Sequence, residues 1–510
     1  MSGINKKKKR RIYDIYNEDI WYKKKGKGML NLVLLNFVGL SSIMLLTKNK
    51  ILSIKANKNM ISKGILLLCI LSLYIVINEL NSININDYGY LRVVNILNID
   101  LGYDGIGLIF LILTIYLGVI SIISNWENII NKRGTYMILI MLLVILMGLN
   151  FVCLDLISFY VLFESTLIPL YLIIGIYGGS NKNKAAYYVL IYTLCSSLFM
   201  LLSIVLIYVI YNNVDYVTIN SKIISIELQS VLLIGLMIGL GVKTPLVPVH
   251  TWLPTVHSES PLGGSILLAG IVLKLAIYGI IRILLSNISE ISLLYAPILY
   301  VIGIITIIYS SLVTLSQTDL KVIIAYSSIS HLGVCILGIF ANNLLGIIGS
   351  LVLCLAHGFV SPALFILMGG VLYDRYHNRV LFYYQGLTQF MPLFAIYLVF
   401  FSFSNTGTPL SYNFIGEFLC ITGAIISNPV IGVLTASSVL LSACYQMKLT
   451  NKLTSGTFSK YLHVTYDLLY REHFILFFLA LPTLVLGIVP NFISNILYLS
   501  SNALIYSIVI

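Results

Sequence analysis

Gly241-Val242-Lys243-Thr244-Pro245-Leu246-Val247-Pro248 follows the apolar run Val231 to Leu240, and this stretch decides the fold. It sets a lysine and two prolines inside a segment otherwise suited to crossing a bilayer. Lys274, within Ile266 to Ile281, and Glu164, directly after Phe159 to Phe163, stand in the same kind of surroundings. An ionisable group near a bilayer centre costs at least about 2.5–3.5 kcal/mol on insertion scales. Groups kept at that cost face a cavity or a partner and serve ion or proton transfer.

The rest of the chain fits such a membrane. Of 510 residues 59% are hydrophobic and only 10% are charged, whereas an ordinary soluble domain is about a quarter charged. Apolar stretches long enough to span a bilayer lie near residues 30–46, 64–80, 105–124, 136–153, 156–177, 185–211, 228–249, 262–285, 293–315, 322–340, 344–372, 392–425, 430–447 and 474–489. An all-α, polytopic protein of about fourteen transmembrane helices is expected. Residues 493–510 are apolar with interspersed polar positions, which suits either a surface-lying or a partly inserted tail. The seven cysteines, at 69, 153, 195, 335, 354, 420 and 444, show no C-x-x-C spacing and read as small core residues. No phosphate-binding loop is present, and Gly102-Tyr103-Asp104-Gly105-Ile106-Gly107 lacks the strand a dinucleotide fingerprint requires.

The formal net charge of +12 invites a nucleic-acid reading, but the placement of the charge opposes it. Loops after odd-numbered spans hold most of the lysine and arginine, among them Lys132, Arg133, Lys182, Lys184, Arg375, Arg379 and Lys448. The opposite loops hold Arg92, Lys222 and Arg282. Positive loops stay on the cytoplasmic or matrix side, so both termini are expected outside. Met1 to Gly28, with Lys6-Lys7-Lys8-Lys9-Arg10-Arg11 and Lys23-Lys24-Lys25, contradicts that orientation. It reads either as a basic arm for RNA or anionic lipid, or as a non-functional extension before Met29.

Two spans are broken. The seventh carries Lys243-Thr244-Pro245-Leu246 and the twelfth Asn405-Thr406-Gly407-Thr408-Pro409-Leu410, followed by Asn413-Phe414-Ile415-Gly416-Glu417-Phe418. Proline removes a helical hydrogen bond, and unwound backbone survives at membrane depth only under protein or beside water. Matching broken helices in two halves point to an inverted-repeat transporter core. The expected organisation is a basic extension (1–28), N-terminal helices (29–130), a first inverted repeat (131–285), a second (286–450), and a C-terminal helix with its tail (451–510).

With these motifs Asp104-Gly105-Ile106-Gly107-Leu108, Phe163-Glu164-Ser165-Thr166-Leu167-Ile168-Pro169, His250-Thr251-Trp252-Leu253-Pro254, His257-Ser258-Glu259-Ser260-Pro261, Leu273-Lys274-Leu275-Ala276, Ala325-Tyr326-Ser327-Ser328-Ile329-Ser330-His331 and Ala356-His357-Gly358, the chain resembles the antiporter-like subunits of respiratory complex I. Glu417, where sister subunits typically carry lysine, and Tyr373-Asp374-Arg375-Tyr376-His377-Asn378-Arg379 favour one member of that family. The abundance of Ile, Asn and Tyr fits an AT-rich organelle genome.

That resemblance implies a proton-translocating subunit of NADH:ubiquinone oxidoreductase in the mitochondrial inner membrane. It implies no cofactor on this chain, flavin and iron-sulfur clusters on partner subunits, and other membrane-arm subunits as neighbours. Glu164 would pair with Lys243; a carboxylate beside an ammonium favours its charged form, so making or breaking the pair would bind or release a proton. Lys274, His331 and His357 would relay protons, and Glu417 would end the axis. His250 and His257 read equally as channel lining or as structure. Asp104 is expected to fix a helix terminus, Asp319 with Lys321 to anchor one, and Asp374, Arg375 and Arg379 to form a solvated loop. The alternatives are a subunit of a multisubunit cation/proton antiporter, or an inert scaffold, which would leave the intramembrane charges unexplained.

Overall fold

A computed structural model describes residues 54–81, 94–96, 99–129, 132–216, 219, 224–286 and 288–509. The basic extension and the expected span near 30–46 lie outside them. The helices are α1 (Ile54–Asn81), α2 (Gly105–Ser124), α3 (Arg133–Asn150), α4 (Leu156–Tyr177), α5 (Lys182–Tyr211), α6 (Ile226–Lys243), α7 (Trp252–Glu259) and α8 (Leu262–Leu285). There follow α9 (Ala296–Ser316), α10 (Leu320–Phe340), α11 (Leu344–Tyr376), α12 (Pro392–Asn405), α13 (Tyr412–Ser427), α14 (Pro429–Thr454), α15 (Tyr470–Ile488) and α16 (Asn491–Val509). The sheet among the described residues is one small hairpin, β1 (Val94–Ile96) with β2 (Ile99–Leu101).

Eleven of these helices are long and apolar enough to cross a membrane. The expected twelfth span is not one rod but two shorter helices, α12 and α13, joined through residues 406–411. The seventh likewise ends at Lys243 and resumes as α7 at Trp252. The tail that the sequence left open is helical from Asn491 to Val509.

Lipid tails are as apolar as leucine, so outward faces need not be polar and helix order is set by close packing and buried polar contacts. Ile191, Leu202, Val209, Val433, Leu440 and Ile488 accordingly stand exposed. Lys274, His331 and His357 lie on the innermost helices: α8 is wholly buried and α10 and α11 nearly so, whereas α4 and α6, which carry Glu164 and Lys243, are about half buried and α5, α14 and α15 are mostly exposed. Helix α13 reaches α11 closely because Gly416 has no side chain; a Cβ there would lie 2.6 Å from the Leu353 Cα.

Three π-helical segments interrupt these central helices, Leu268–Val272 and Ile280–Leu285 in α8 and Ile366–Leu372 in α11. Pro362, which cannot bond to the carbonyl four residues back, precedes the last one. Single π turns concentrate at functional sites, and the two in α8 bracket the turn that carries Lys274.

Candidate functional site

Lys274, His357, His331 and Glu417 come from α8, α11, α10 and α13, and each is at most 4% exposed. The Lys274 Nζ lies 2.8 Å from Nδ1 of His357 and also donates to the Ala269 carbonyl of the preceding π turn. The His357 and His331 rings stand 5.5 Å apart. His331 Nδ1 then approaches Glu417 Oε1 at 3.1 Å, at ion-pair distance but without hydrogen-bond alignment. Nε2 of each histidine is buried with no hydrogen-bond partner among the described residues. Residues spread from position 274 to position 417 thus form one line of groups able to hold or pass a proton.

Lys243 and Glu164 form the second group, and here the geometry departs from the expected pairing. Pro169 has no N–H to offer Ser165, and α4 is interrupted at Thr166. The Phe163 carbonyl next to that break accepts both Thr166 Oγ1 and Lys243 Nζ, each at 2.8 Å. The ammonium also sits 3.2 Å above the Phe163 ring, a cation–π position. Glu164 feels Lys243 electrostatically, yet its buried Oε1 has no hydrogen-bond partner, and no direct ion pair joins the two among the described residues. The amine donates to this peptide carbonyl and not to the carboxylate.

Around these groups lie the weaker candidates. His250 packs edge-on against Tyr309 and Tyr326, and His257 stacks flat on Phe365 at 4.5 Å; both ring nitrogens of His257 are buried without a hydrogen-bond partner among the described residues. Lys321 is buried and donates to the Ser260 carbonyl at the end of α7, while the Asp319 carboxylate caps α10 by accepting from the Lys321 N–H, as the anchoring role requires. Burial, partly offset by that N–H and by Arg379, raises the Asp319 carboxyl above its ordinary range.

Two expectations are corrected. Arg375 is not part of a solvated loop: it is buried, pairs with Glu472 at 2.7 Å, and donates to the carbonyls of Val371, Tyr466 and Asp467. The 455–470 connection folds back over it and replaces solvent. Arg282, assigned to an outer loop by charge alone, is buried in the second π segment of α8 and bridges Asp104 at 2.8 Å. Asp104 does fix a terminus, accepting from the Gly107 N–H at the start of α2. Five cysteines are core residues as expected, while Cys195 and Cys444 are exposed.

Buried polar groups near Glu417 escaped the sequence reading. Asn405 and Asn413 flank the helix break with both amide atoms unpartnered, and Tyr445 and Gln446 of α14 also have buried polar atoms without partners. Asparagines inside an apolar span were the signal that marked the first two, since each is costly there unless it faces other polar groups.

A family model described as "NADH:quinone oxidoreductase/Mrp antiporter, TM" matches residues 153–442. NADH-ubiquinone oxidoreductase chain 4 of Candida albicans is 56% identical over 79% of this chain and 86% of its own length. The chain 4 protein of Yarrowia lipolytica is 48% identical over 90% and 97%. Among solved structures, a chain of respiratory complex I from Thermus thermophilus superposes with a TM-score of 0.83 at 25% identity over 94% of this chain and 99% of that one. A chain of the Mrp complex from Dietzia shares the fold at a TM-score of 0.82 and 17% identity. The chain therefore belongs to the NADH-ubiquinone oxidoreductase chain 4 family, the antiporter-like membrane subunits of respiratory complex I.

Proposed function

We propose that this proton-translocating membrane subunit of respiratory complex I moves protons along Lys274, His357, His331 and Glu417, with Lys243 and Glu164 as the proton-loading group of the other half. The observation that carries the reading is the buried contact line from the Lys274 amine through two imidazoles to the Glu417 carboxylate. An imidazole accepts a proton on one nitrogen and releases one from the other, and its ordinary pKa near 6.5 needs little tuning for that work. Buried ring nitrogens need hydrogen-bond partners, and a water shared by the two imidazoles would supply them and carry the proton between the rings.

Electron transfer from NADH to ubiquinone takes place on partner subunits, which hold the flavin and iron-sulfur clusters; this chain contributes the proton path. Its neighbours are other membrane-arm subunits, and its place is the mitochondrial inner membrane. The antiporter alternative accounts for the shared fold but leaves unexplained the identities to chain 4 proteins across most of the sequence.

The test is His357→Gln and His331→Gln in the assembled complex, reconstituted into vesicles, with protons pumped counted per NADH oxidised. Glutamine keeps a polar group of similar reach and cannot pass a proton at neutral pH. Pumping should fall sharply in both variants, and an unchanged ratio in both would exclude the relay.

A further inference from the structure

The carboxylate of Glu417 lies against the backbone of the break in its own broken helix. A Cβ added at Gly407 would stand 2.4 Å from Glu417 Oε2, 3.1 Å from its Cδ and 3.6 Å from Oε1. Gly407 has φ +69° and lies in the turn between α12 and α13, with its own N–H bonded to the Ser404 carbonyl. Glu417 therefore reaches back from the second turn of α13 and rests on a residue ten positions earlier. Its other carboxylate oxygen faces His331 of α10. Tyr445 of α14 and Cys420 on its own helix are further titratable groups near it among the described residues.

We propose that Gly407 is the positioning residue for Glu417: its bare Cα is the seat that holds the carboxylate against His331 and ties it to the hinge of the broken helix. Bending at residues 406–411 then cannot occur without moving the carboxylate relative to the imidazole. The contact that ends the proton line and the hinge become one mechanical unit. This inference rests on the reading of Glu417 as a proton-transfer group.

Glycine at φ +69° has two separable roles, backbone freedom and lack of volume, and the test distinguishes them. Asparagine tolerates the left-handed region far better than alanine does, yet both carry a Cβ. If the seat matters, Gly407→Ala and Gly407→Asn should both reduce proton pumping per NADH in the assembled complex to the level of Glu417→Gln. Shortening the acid to aspartate withdraws the carboxylate by about 1.5 Å, one carbon–carbon bond. The double variant Gly407→Ala with Glu417→Asp should then pump better than Gly407→Ala alone.

Near-normal pumping by Gly407→Asn with loss in Gly407→Ala would mean that glycine serves the backbone angle only, and would overturn the proposal. Effects of the double variant that simply multiply would overturn it as well, as would failure of all three variants to assemble. Normal pumping in Glu417→Gln would instead remove the role of the carboxylate itself, so the two readings fail by different results.

Discussion

Lys243 is held by a neutral group rather than by its expected counter-charge, and this changes what its removal should do. Its ammonium is buried, bonded to the Phe163 carbonyl and seated over the Phe163 ring. Methionine fills much the same volume without charge, and Thr166 still satisfies the carbonyl. Lys243→Met should therefore assemble normally while proton pumping falls at least about a hundredfold, the lower end of what a proton-transferring side chain contributes. Pumping measured on the purified variant checks this; normal pumping would sink the role of the residue. At this scale the sequence showed which ionisable side chains stand in apolar spans, because charge there is legible one residue at a time. It did not show what each one touches. The carbonyl that receives Lys243 is 80 positions away, beside the break in α4.

Helix termini are anchored from near and far. Asp104 caps α2 and neutralises Arg282 in a pair whose two side chains are each 7% exposed. Removing one partner of such a buried pair costs about 3–5 kcal/mol, and losing the cap adds about 1 kcal/mol. Asp104→Ala should lower the melting temperature of the complex more than Asp104→Asn, which keeps an acceptor for the Gly107 N–H; equal losses would dismiss the cap. That role was readable because Asp104 directly precedes the helix it caps. The start of α12 was not readable in this way, since its first N–H groups, those of Leu393 and Phe394, are accepted by Asp467 from a distant connection. At the entrance to α4, Asp155 lies in a bridge with Asp215, and desolvation followed by the bond to Asp215 raises its carboxyl to about 7. Its folded pKa lies above the unfolded value of about 3.9. The stability it contributes is thus fully present below about pH 4 and lost as pH rises through about 7. Thermal melts of the complex from pH 5 to 8 should show that slope, and Asp155→Asn should flatten it.

For the whole molecule, the charge bias predicts sidedness that can be read directly. Asn183 at the start of α5 belongs to the positive face, and Glu227 at the start of α6 to the opposite one; both are exposed. In sealed vesicles of known orientation, an impermeant maleimide should label Asn183→Cys from the matrix side and Glu227→Cys from the outer side, above the background of the native cysteines. The reverse pattern would invert the topology. The apolar spans and both helix breaks were legible because hydrophobic length and proline act locally. The positions of Arg282 and Arg375 were not, because a charge count cannot tell a loop arginine from one covered by a distant segment. Nor were the π segments of α8 and α11, which leave no mark in apolar periodicity. A π turn admits one residue more than the α-helical turn it replaces. Each is thus a place where the helix accommodates an extra residue without breaking. The two in α8 make the turn bearing Lys274 a cassette whose angular setting depends on chain length on either side of it. Substitutions there would retune its surroundings, whereas a one-residue deletion would rotate the lysine by about 100° and aim its amine at a different wall.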